Sequence, residues 1–536
     1  MKYSIFLLIT VFTINLFAQT KLENGEQIYF SKAAEKQIHQ NRSLTSLNYS
    51  WGAEINISNH EGEDSRYPRM AIGNDGTAYC VFTDRGYQSL GYAANQKIVF
   101  TKKIAGQDWT ASEVIDENGY PSKNNSISAI AVDDNNNVHV VFLSWAFENF
   151  RHVMVYTMYS NMLQTWSTPV EISTGGGSIY DTHPIQIVLS DTGNPLVIWG
   201  EDNRIDEDVE KVYGTYFDGS TWSEDVLISG NDTLEAVQPV VEKIDGNRAM
   251  IVYKKQVENE ADSLQLEYGF FDFDDNTFSN FNAIPNTKTT TNLLGYNYDL
   301  AYAPTATENN LYLAYWTHEY PVVGDLTDKV NIVNYGINDD TFSLSGYELS
   351  FTVNTYLYKK TLNLACNSES ELSVVYNNIQ TGVTEVSNYS NTNGFSTPES
   401  VSTDPSTVSG NYPSAQFNPD DKLCVVFTDE RNDTGSGYIE RDVFYREGTD
   451  ISTNIKKSTT NNSFSIYPNP ANNQLTIDNG QLTIKNIQIL DVTGKVVKQI
   501  VMSSELKTST RIQIKDLEKG VYFVKLGNHT HKFIKQ

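Results

Sequence analysis

The chain has 536 residues, of which 39% are hydrophobic and 12% aromatic, and its 39 Lys and Arg against 66 Asp and Glu give a formal net charge of −27. So acidic a chain lacks the basic face that nucleic acid or an anionic membrane requires, so we expect neither as a partner. Three cysteines provide neither a disulfide framework nor a zinc site, and we expect no metal and no cofactor. The 32 Tyr and 24 Phe favour β-strands.

A short apolar segment follows Lys2 at the N-terminus. It runs from Ile5 to Phe12, and the small residue Ala18 lies just beyond it. A charge, a short apolar stretch and a small residue are typical of a signal peptide and too short for a membrane span. We predict a signal peptide over residues 1–18 and an N-terminal extension over 19–50. Since no later segment reaches 18 apolar residues, we expect no transmembrane helix.

A repeated phrase then fills residues 51–446. Each copy contains an apolar strand, a polar turn and a second strand that ends in an aromatic residue, and third and fourth strands follow in most copies. Seven copies begin near Tyr67, Ala129, His183, Gln238, Leu300, Leu362 and Tyr412. Four short strands per repeat are typical of a propeller blade. The sequence therefore predicts an all-β, seven-bladed β-propeller, with an eight-bladed ring or two sandwiches as alternatives.

The seventh copy ends after its third strand, near Arg446. The missing fourth strand stands at the start of the repeat region, where Trp51–Ser58 repeats the phrase of Trp166–Ser173. An N-terminal strand that completes the last blade would close the ring and remove its open edges. We expect Trp51, Ile55 and Ile57 to be buried against that blade or its neighbour.

Loops that enter strand one and loops that join strands two and three lie on one face of a propeller. Here these loops bring together aromatic and charged residues, which suit sugars because rings stack on pyranose faces and Arg pairs with uronate or sulfate. The candidate ligand-binding residues are Arg66, Tyr67, Asp84, Arg85, Trp145, Glu148, Arg151, His183, Glu201, Arg204, Trp316, His318, Glu430 and Arg431. The pairs Asp202 with Arg204 and Asp429 with Arg431 also suit ion pairs that brace their loops.

The phrase ending Trp166-Ser167-Thr168-Pro169-Val170 resembles bacterial sialidase-like propellers of the BNR type, and the resemblance covers most of residues 51–446. It implies the fold. Sialidases of this kind carry Ser-x-Asp-x-Gly-x-Thr-Trp boxes, which this sequence lacks, and Arg66-Tyr67-Pro68 stands where they have Arg-Ile-Pro. The resemblance therefore assigns neither their three-arginine carboxylate clamp nor any catalytic residue.

Three functions stay open at this point. The leading hypothesis is a secreted or cell-surface protein that binds glycans or polysaccharides. The second is a polysaccharide lyase or glycosidase, with His183 or His318 beside Tyr67 or Tyr320 as parts of its site. The third is an adhesive or scaffold propeller with a protein partner, whose binding face would be one connected apolar patch.

The C-terminal segment differs from the repeat. A Ser-, Thr- and Asn-rich stretch, residues 447–462, reads as a linker, and alternating apolar residues over 463–536 predict a small β-sandwich. Tyr467-Pro468-Asn469-Pro470, Gly520-Val521-Tyr522 and the ending Lys532-Phe533-Ile534-Lys535 closely resemble the C-terminal sorting domain of the type IX secretion system. The resemblance implies a Bacteroidetes-type bacterium, the type IX machinery as a partner, and delivery to the medium or outer-membrane surface after Sec export.

Overall fold

The computed structural model describes residues 48–59, 64–85, 96–116, 125–146, 151–174, 185–202, 209–290, 294–304, 309–319, 326–353, 361–378, 381–391, 393–404, 412–432, 440–451, 465–478, 486–491, 495–501, 509–526 and 529–536. The predicted signal peptide and almost all of the N-terminal extension lie outside these residues. No helix in the described ranges is long and apolar enough to cross a membrane. Contacts divide the chain into two units, Met1–Ser452 and Thr453–Gln536.

The first unit consists of short antiparallel strands. The chain begins with β1 (Tyr49–Trp51) and β2 (Ile55–Asn56). Blade one contains β3 (Asp64–Ile72), β4 (Ala78–Arg85), β5 (Gln96–Lys103) and β6 (Glu113–Val114). Blade two contains β7 (Asn125–Val132), β8 (Val138–Ala146), β9 (Arg151–Ser160), β10 (Thr165–Trp166) and β11 (Val170–Glu171). Blade three contains β12 (Gln186–Leu189), β13 (Pro195–Asp202), β14 (Glu210–Tyr216) and β15 (Val226–Leu227).

The remaining blades repeat this order. Blade four contains β16 (Ala236–Ile244), β17 (Arg248–Val257), β18 (Glu260–Asp272), β19 (Thr277–Phe278), β20 (Asn282–Ala283) and β21 (Thr289–Thr290). Blade five contains β22 (Leu294–Pro304), β23 (Asn309–Glu319), β24 (Leu326–Gly336) and β25 (Thr341–Val353). Blade six contains β26 (Leu362–Cys366), β27 (Leu372–Asn378), β28 (Val383–Ser390), β29 (Gly394–Phe395) and β30 (Glu399–Ser400). Blade seven contains β31 (Ser414–Phe417), β32 (Leu423–Asp429) and β33 (Asp442–Asp450), together with β1 and β2.

The sheets are arranged in a ring. In each of these sheets the first three strands pair in chain order, and the fourth strand, or the short segments that form it, pairs with the third strand. In blade seven, β1 and β2 supply those segments. The first strand of every blade contacts the first strand of the next, in the order β3, β7, β12, β16, β22, β26 and β31, and β31 contacts β3. Seven sheets of the described residues therefore surround one central channel. The all-β propeller predicted from the repeat is confirmed.

The two ends of the ring meet in blade seven. Ile55 pairs with Tyr445 in β33, and the backbone N–H of Ile57 donates to the carbonyl of Val443 at 2.8 Å, so the predicted closure by an N-terminal strand is confirmed. Ile57 is buried, as expected, but Ile55 is 38% exposed, and the prediction for that residue was wrong. Ile55 lies at the outer rim, where a groove of about 440 Å³ separates it from Trp109 of blade one.

Polar side chains hold the interrupted fourth strands in place. In six blades a side chain just after the fourth strand accepts a hydrogen bond from a backbone N–H of the third strand, at 2.8 to 3.1 Å. The acceptors are Ser58, Asp116, Ser173, Ser229, Thr287 and Ser402. These bonds satisfy backbone donors that a continuous ladder would otherwise pair. They also explain why an apolar residue followed by Ser recurs in the sequence.

Hydrophobic clusters lie between neighbouring blades. One cluster joins Tyr79 and Phe100 of blade one to Phe142 and Val153 of blade two, and another joins Val375 of blade six to residues of blade seven. Each blade therefore buries both faces of its sheet, which is why the second and third strands read as continuous apolar runs. The described cysteines fit this packing: all three are free thiols, and Cys80 and Cys424 are buried.

The C-terminal unit is a small β-sandwich, as predicted. Its strands are β34 (Ser465–Tyr467), β35 (Gln474–Asp478), β36 (Asn486–Leu490), β37 (Val496–Val501), β38 (Ser509–Gln513), β39 (Gly520–Leu526) and β40 (His529–Lys535). One sheet has the order β34-β35-β38 and the other β37-β36-β39-β40. Leu475 and Ile477 of the first sheet pack against Ile489 and Phe533 of the second.

Candidate functional site

Antiparallel order places the start of strand one, the end of strand two and the start of strand three at the same edge of every blade. In blade one this edge is built by Asp64, Arg85 and Gln96, which pair directly across β3, β4 and β5. In blade one, the face predicted to carry the ligand-binding loops is therefore located by these three paired residues. Asp64 and its neighbours form a cluster of charged groups at this edge.

Two arginines share the Asp64 carboxylate. Arg66 donates from Nε to Asp64 Oδ2 at 2.5 Å, and Arg441 donates from Nη1 to Oδ1 at 3.0 Å and to Oδ2 at 3.3 Å. Arg441 precedes β33 of blade seven, and its carbonyl accepts a hydrogen bond from the backbone N–H of Ser65 at 2.8 Å. Two guanidinium charges thus face one carboxylate, which leaves one net positive charge.

Arg85 adds a third guanidinium to this edge. With the Gln96 amide assigned from its hydrogen-bond partners, its oxygen accepts from Arg85 Nε at 3.2 Å and from Arg85 Nη2 at 3.1 Å. Within the described part of the chain, Arg85 is therefore held by a neutral amide rather than by a carboxylate. The neighbouring Asp84 is buried, and its carboxylate accepts from the Ser65 hydroxyl at 2.5 Å. We call Arg66, Arg85 and Arg441 the arginine cluster.

The arginine cluster is partly accessible to solvent. The side chain of Arg66 is 24% exposed and that of Arg441 is 10% exposed. Burial opposes the charge of Arg66, but the hydrogen bond and the charge of Asp64 outweigh it, so the pKa of the guanidinium lies above its ordinary value. Arg66 therefore stays cationic while one side of it faces water.

Arg431, another predicted site residue, is engaged in bracing the closure. Its Nη2 donates to Asp429 Oδ2 at 2.6 Å, its Nη1 contacts Glu54 of the N-terminal segment, and its guanidinium lies 4.3 Å from the ring centre of Phe444. Asp429 and Glu54 are almost fully buried at this contact. This geometry matches the alternative interpretation of the Asp-x-Arg pair as a structural ion pair.

The other predicted residues are distributed over several blades. Tyr67 is buried with its ring 4.8 Å from that of Tyr412, Glu201 is buried and accepts from Trp199 Nε1 at 2.8 Å, and Trp316 is buried 6.0 Å from the Tyr376 ring.

Some predicted residues are half-buried, and others lie outside the described residues. Trp145 and Glu430 are half-buried, and the Trp145 ring lies 5.8 Å from that of His152. Glu148, His183, Arg204 and Tyr320 lie outside the described residues, as do the side chains of Arg151 and His318. The structure thus brings together Arg66 and Arg85 and does not place the remaining candidates beside them.

Arg441 and Asp64 were not among the residues predicted from the sequence. Arg441 stands two residues before Val443, the first core residue of its third strand, and Gln96 stands two residues before Ile98. Ile57 and Ile115 donate to the carbonyls of Val443 and Ile98 in the same way, which establishes the equivalence. Alignment of this position between blades would have placed Arg441 on the same face as Arg85.

The central channel holds a second set of charged groups. Burial and the nearby charge of Asp299 raise the pKa of Glu242 to about 8. Burial also raises the pKa of Asp299 to about 6, although hydrogen bonds and the charge of Arg69 oppose this shift. Asp299 Oδ2 accepts from the backbone N–H of Leu364 at 2.8 Å, and Glu242 Oε1 accepts from that of Tyr302 at 3.4 Å. These carboxylates therefore link blade four to five and blade five to six.

The described residues contain no group of three or more His, Cys, Asp or Glu side chains that could hold a metal ion. The arginine cluster has a different chemical capacity. Two of its guanidinium groups share the Asp64 carboxylate and the third pairs with a neutral amide, so the cluster can bind an anion through charge-assisted hydrogen bonds.

The comparison with solved structures gives matches of low sequence identity. A protein of unknown function from Dyadobacter fermentans aligns with 11% identity and a TM-score of 0.44 over 75% of this chain and 99% of its own. An α-L-arabinanase from Penicillium chrysogenum, complexed with arabinobiose, aligns with 11% identity and a TM-score of 0.41 over 75% and 98%. A Hadza microbial sialidase aligns with 15% identity and a TM-score of 0.37 over 58% and 63%. At these values the matches assign neither an activity nor a ligand to this chain.

The C-terminal unit has a clear family match. No curated protein matches the chain. Residues 465–536 match the family model of the secretion system C-terminal sorting domain. This domain marks proteins exported by the type IX system, so the protein is one that is secreted or displayed on the cell surface.

Proposed function

We propose that this secreted protein binds glycans that carry carboxylate or sulfate groups, and that the arginine cluster of blade one contacts those groups. The observation that carries the proposal is the pairing of Arg66 and Arg441 on the single carboxylate of Asp64, with Arg85 held beside them by Gln96. Guanidinium groups present forked donors that match carboxylate and sulfate oxygens.

The charge of the surroundings supports an anionic ligand. The whole chain carries a net charge of −27, yet here three guanidinium groups, those of Arg66, Arg85 and Arg441, lie beside the carboxylates of Asp64 and Asp84, both of which are buried. Asp64 also holds Arg66 and Arg441 in place before a ligand arrives, which lowers the entropy lost on binding.

The geometry favours binding over hydrolysis or elimination. A glycosidase needs two carboxyl groups about 5–10 Å apart on either side of the bond, one of them a proton donor. Asp64 is paired with two arginines, and Asp84 is buried against Ser65, so neither is placed as a free acid or base. The described residues of this edge therefore contain no pair of carboxyl groups placed for acid and base catalysis.

The test is a binding titration of the purified protein with polygalacturonate, chondroitin sulfate and neutral dextran. We expect binding to the two acidic polymers, weakening as salt rises, and at least a tenfold loss of affinity in Arg66→Ala and Arg85→Ala. Arg248→Ala is the matched control, since its side chain is 36% exposed and it begins β17, at the opposite edge of its blade.

Two outcomes would overturn the proposal. One is equal affinity for dextran and the acidic polymers, and the other is wild-type affinity in both Arg66→Ala and Arg85→Ala. An increase in absorbance at 235 nm or in reducing ends during the titration would instead identify a lyase or a glycosidase.

A further inference from the structure

The four-stranded sheet of the C-terminal unit has one face that packs on the sandwich core and one open face. Ile489, Val524 and Phe533 point into the core. By alternation along the strands, their neighbours Leu490, Phe523 and Ile534 point to the open side. The open face of an ordinary two-layer sandwich is polar, so its side-chain composition is informative.

Apolar side chains cluster on this open face. The strand register pairs Leu490 with Val496, Leu490 with Phe523, and Val521 with Ile534, so these five residues are neighbours across all four strands. Val496 is 41% exposed, Val521 37% and Ile534 40%, and Leu490 and Phe523 are half-buried. We call these five residues the open-face patch. A contiguous exposed apolar patch on a folded domain is typical of an interaction surface.

Lysines border the open-face patch. Lys532 pairs directly with Phe523, Lys525 follows two positions later on the same side of β39, and both are exposed. Residues 465–536 contain ten Lys and Arg against five Asp and Glu, whereas the whole chain is strongly acidic. The surface thus combines an apolar centre with a basic rim.

We propose that the open-face patch is the surface by which the sorting domain docks onto a protein of the export machinery, whose complementary surface has an apolar centre and acidic groups around it. The proposal rests on the family match of residues 465–536, which supplies a protein partner, and on charge complementarity, which specifies its rim. A second copy of the chain fits less well, because a two-fold contact through this face would place the lysine rims against each other.

The experiment follows delivery of the full-length protein in a bacterium that exports it by the type IX route. The apolar variant is Val521→Thr with Ile534→Thr, which keeps β-branched side chains on the strands, and the rim variant is Lys525→Glu with Lys532→Glu. Matched controls are Val114→Thr with Val170→Thr on the propeller, at 39% and 44% exposure, and Lys515→Glu with Lys519→Glu at exposed positions of the same unit.

We expect at least a tenfold fall in surface and medium protein for both patch variants, with accumulation in the periplasm, and wild-type delivery for both controls. Purified patch variants should melt like the wild type, which separates lost docking from lost folding. Wild-type delivery of both patch variants would overturn the proposal.

Two other readouts would reassign the surface. A dimer in sedimentation that Val521→Thr with Ile534→Thr abolishes would show that a second copy covers it, and binding to phosphatidylglycerol vesicles that needs Lys525 and Lys532 would show a lipid ligand. A protein without residues 465–536 tests separately whether the type IX route delivers this protein. If the truncated protein is still delivered, the assignment of the export route is wrong. If it is retained, the route is correct and the patch variants test the docking surface alone.

Discussion

The hydroxyl of Ser58 accepts a hydrogen bond from the backbone N–H of Val443 at 3.0 Å, although the two residues are 385 positions apart in the chain. The same hydroxyl donates to Asp442 Oδ1 at 2.9 Å. Within blade two, Ser173 accepts the equivalent hydrogen bond from Met154 at 2.8 Å. The N-terminal segment therefore does for blade seven what a chain-continuous fourth strand does for blade two, and it joins the two ends of the ring.

Ser58→Ala should destabilise the propeller by about 1–3 kcal/mol. The substitution leaves a buried backbone N–H and the Asp442 carboxylate without this partner, and unsatisfied buried polar groups carry a penalty of that size. Urea unfolding monitored by tryptophan fluorescence measures the change. Ser173→Ala is the matched control and should be destabilised similarly; loss of stability in Ser173→Ala alone would show that the end strand does not contribute to closure.

Removal of residues 1–58 should have a much larger effect than Ser58→Ala. Tyr49 and Ile57 are both buried, and full burial of an apolar side chain contributes roughly 1.5–3 kcal/mol, against a total stability of about 5–15 kcal/mol. The third strand of blade seven would also become an open edge. We expect unfolding or aggregation, seen by circular dichroism and light scattering. A truncated protein with the melting temperature of one that starts at residue 19 would contradict this expectation.

The repeat predicted the architecture because its cause is local. Apolar strands alternate with polar turns in every copy, and the phrase Trp51–Ser58 copies Trp166–Ser173 down to the Ser whose hydroxyl holds the third strand. A residue pattern that each blade requires for its own hydrogen bonds recurs along the sequence, so it can be recognised without the tertiary structure.

The charged contacts were less predictable because they join distant segments. Arg431 pairs with Glu54, which lies 377 positions away in the chain, and Arg441 pairs with Asp64 at the same separation. The exposure of Ile55 depends on how far blades one and seven separate at the rim, which the apolar pattern of one strand does not contain. The sequence therefore identified Arg66 and Arg85 on this face but not Arg441 and Asp64, whose contact joins distant segments.

Arg431→Ala should destabilise the propeller by about 1–3 kcal/mol, because it leaves the Asp429 carboxylate without its guanidinium partner and leaves Glu54 with Arg446, at 3.7 Å, as its guanidinium partner. Arg431→Lys should recover only part of this, since a single ammonium group cannot donate to both carboxylates in the same forked geometry. Calorimetric unfolding of both variants, with Arg66→Ala beside them, checks the distinction. Arg66→Ala should be less destabilised because Arg441 still pairs with Asp64; the opposite order would contradict the structural role of Arg431.

In the C-terminal unit, Asn469 of the Tyr-Pro-Asn-Pro motif covers the outer edge of β40. Its Oδ1 accepts from the backbone N–H of Ile534 at 2.9 Å, and its Nδ2 donates to the carbonyl of Lys532 at 3.1 Å. Asn469→Asp keeps the acceptor but replaces the donor by an oxygen that faces a carbonyl, so we expect a loss of about 1 kcal/mol or more in the stability of this unit.

Hydrogen exchange at Ile534 measures that effect, with Asn472→Asp, an exposed neighbour, as the control. Faster exchange in Asn469→Asp alone is the expected result. Equal exchange in the two variants would show that the Asn469 side chain does not protect this edge.

The last prediction concerns pH and the carboxylate of Glu242 in the central channel. Its pKa is raised to about 8, mainly by burial and then by the charge of Asp299, so the folded state binds the proton more tightly than the unfolded chain does. The corresponding stability is fully present below the ordinary Glu pKa of about 4.5 and is lost as the pH rises through that value towards 8. Each unit of pKa difference corresponds to about 1.4 kcal/mol, and we expect about 2–4 kcal/mol to be lost between pH 5 and pH 8.5.

Glu242→Gln keeps an oxygen that can accept from the Tyr302 N–H but carries no charge, so it should flatten the pH dependence of stability and be more stable than the wild type at pH 8.5. Thermal unfolding at the two pH values measures both effects, with Asp275→Asn at an exposed turn as the control for the loss of one negative charge. A Glu242→Gln protein with the same pH dependence as the wild type would show that Glu242 is already ionised in the folded ring at neutral pH.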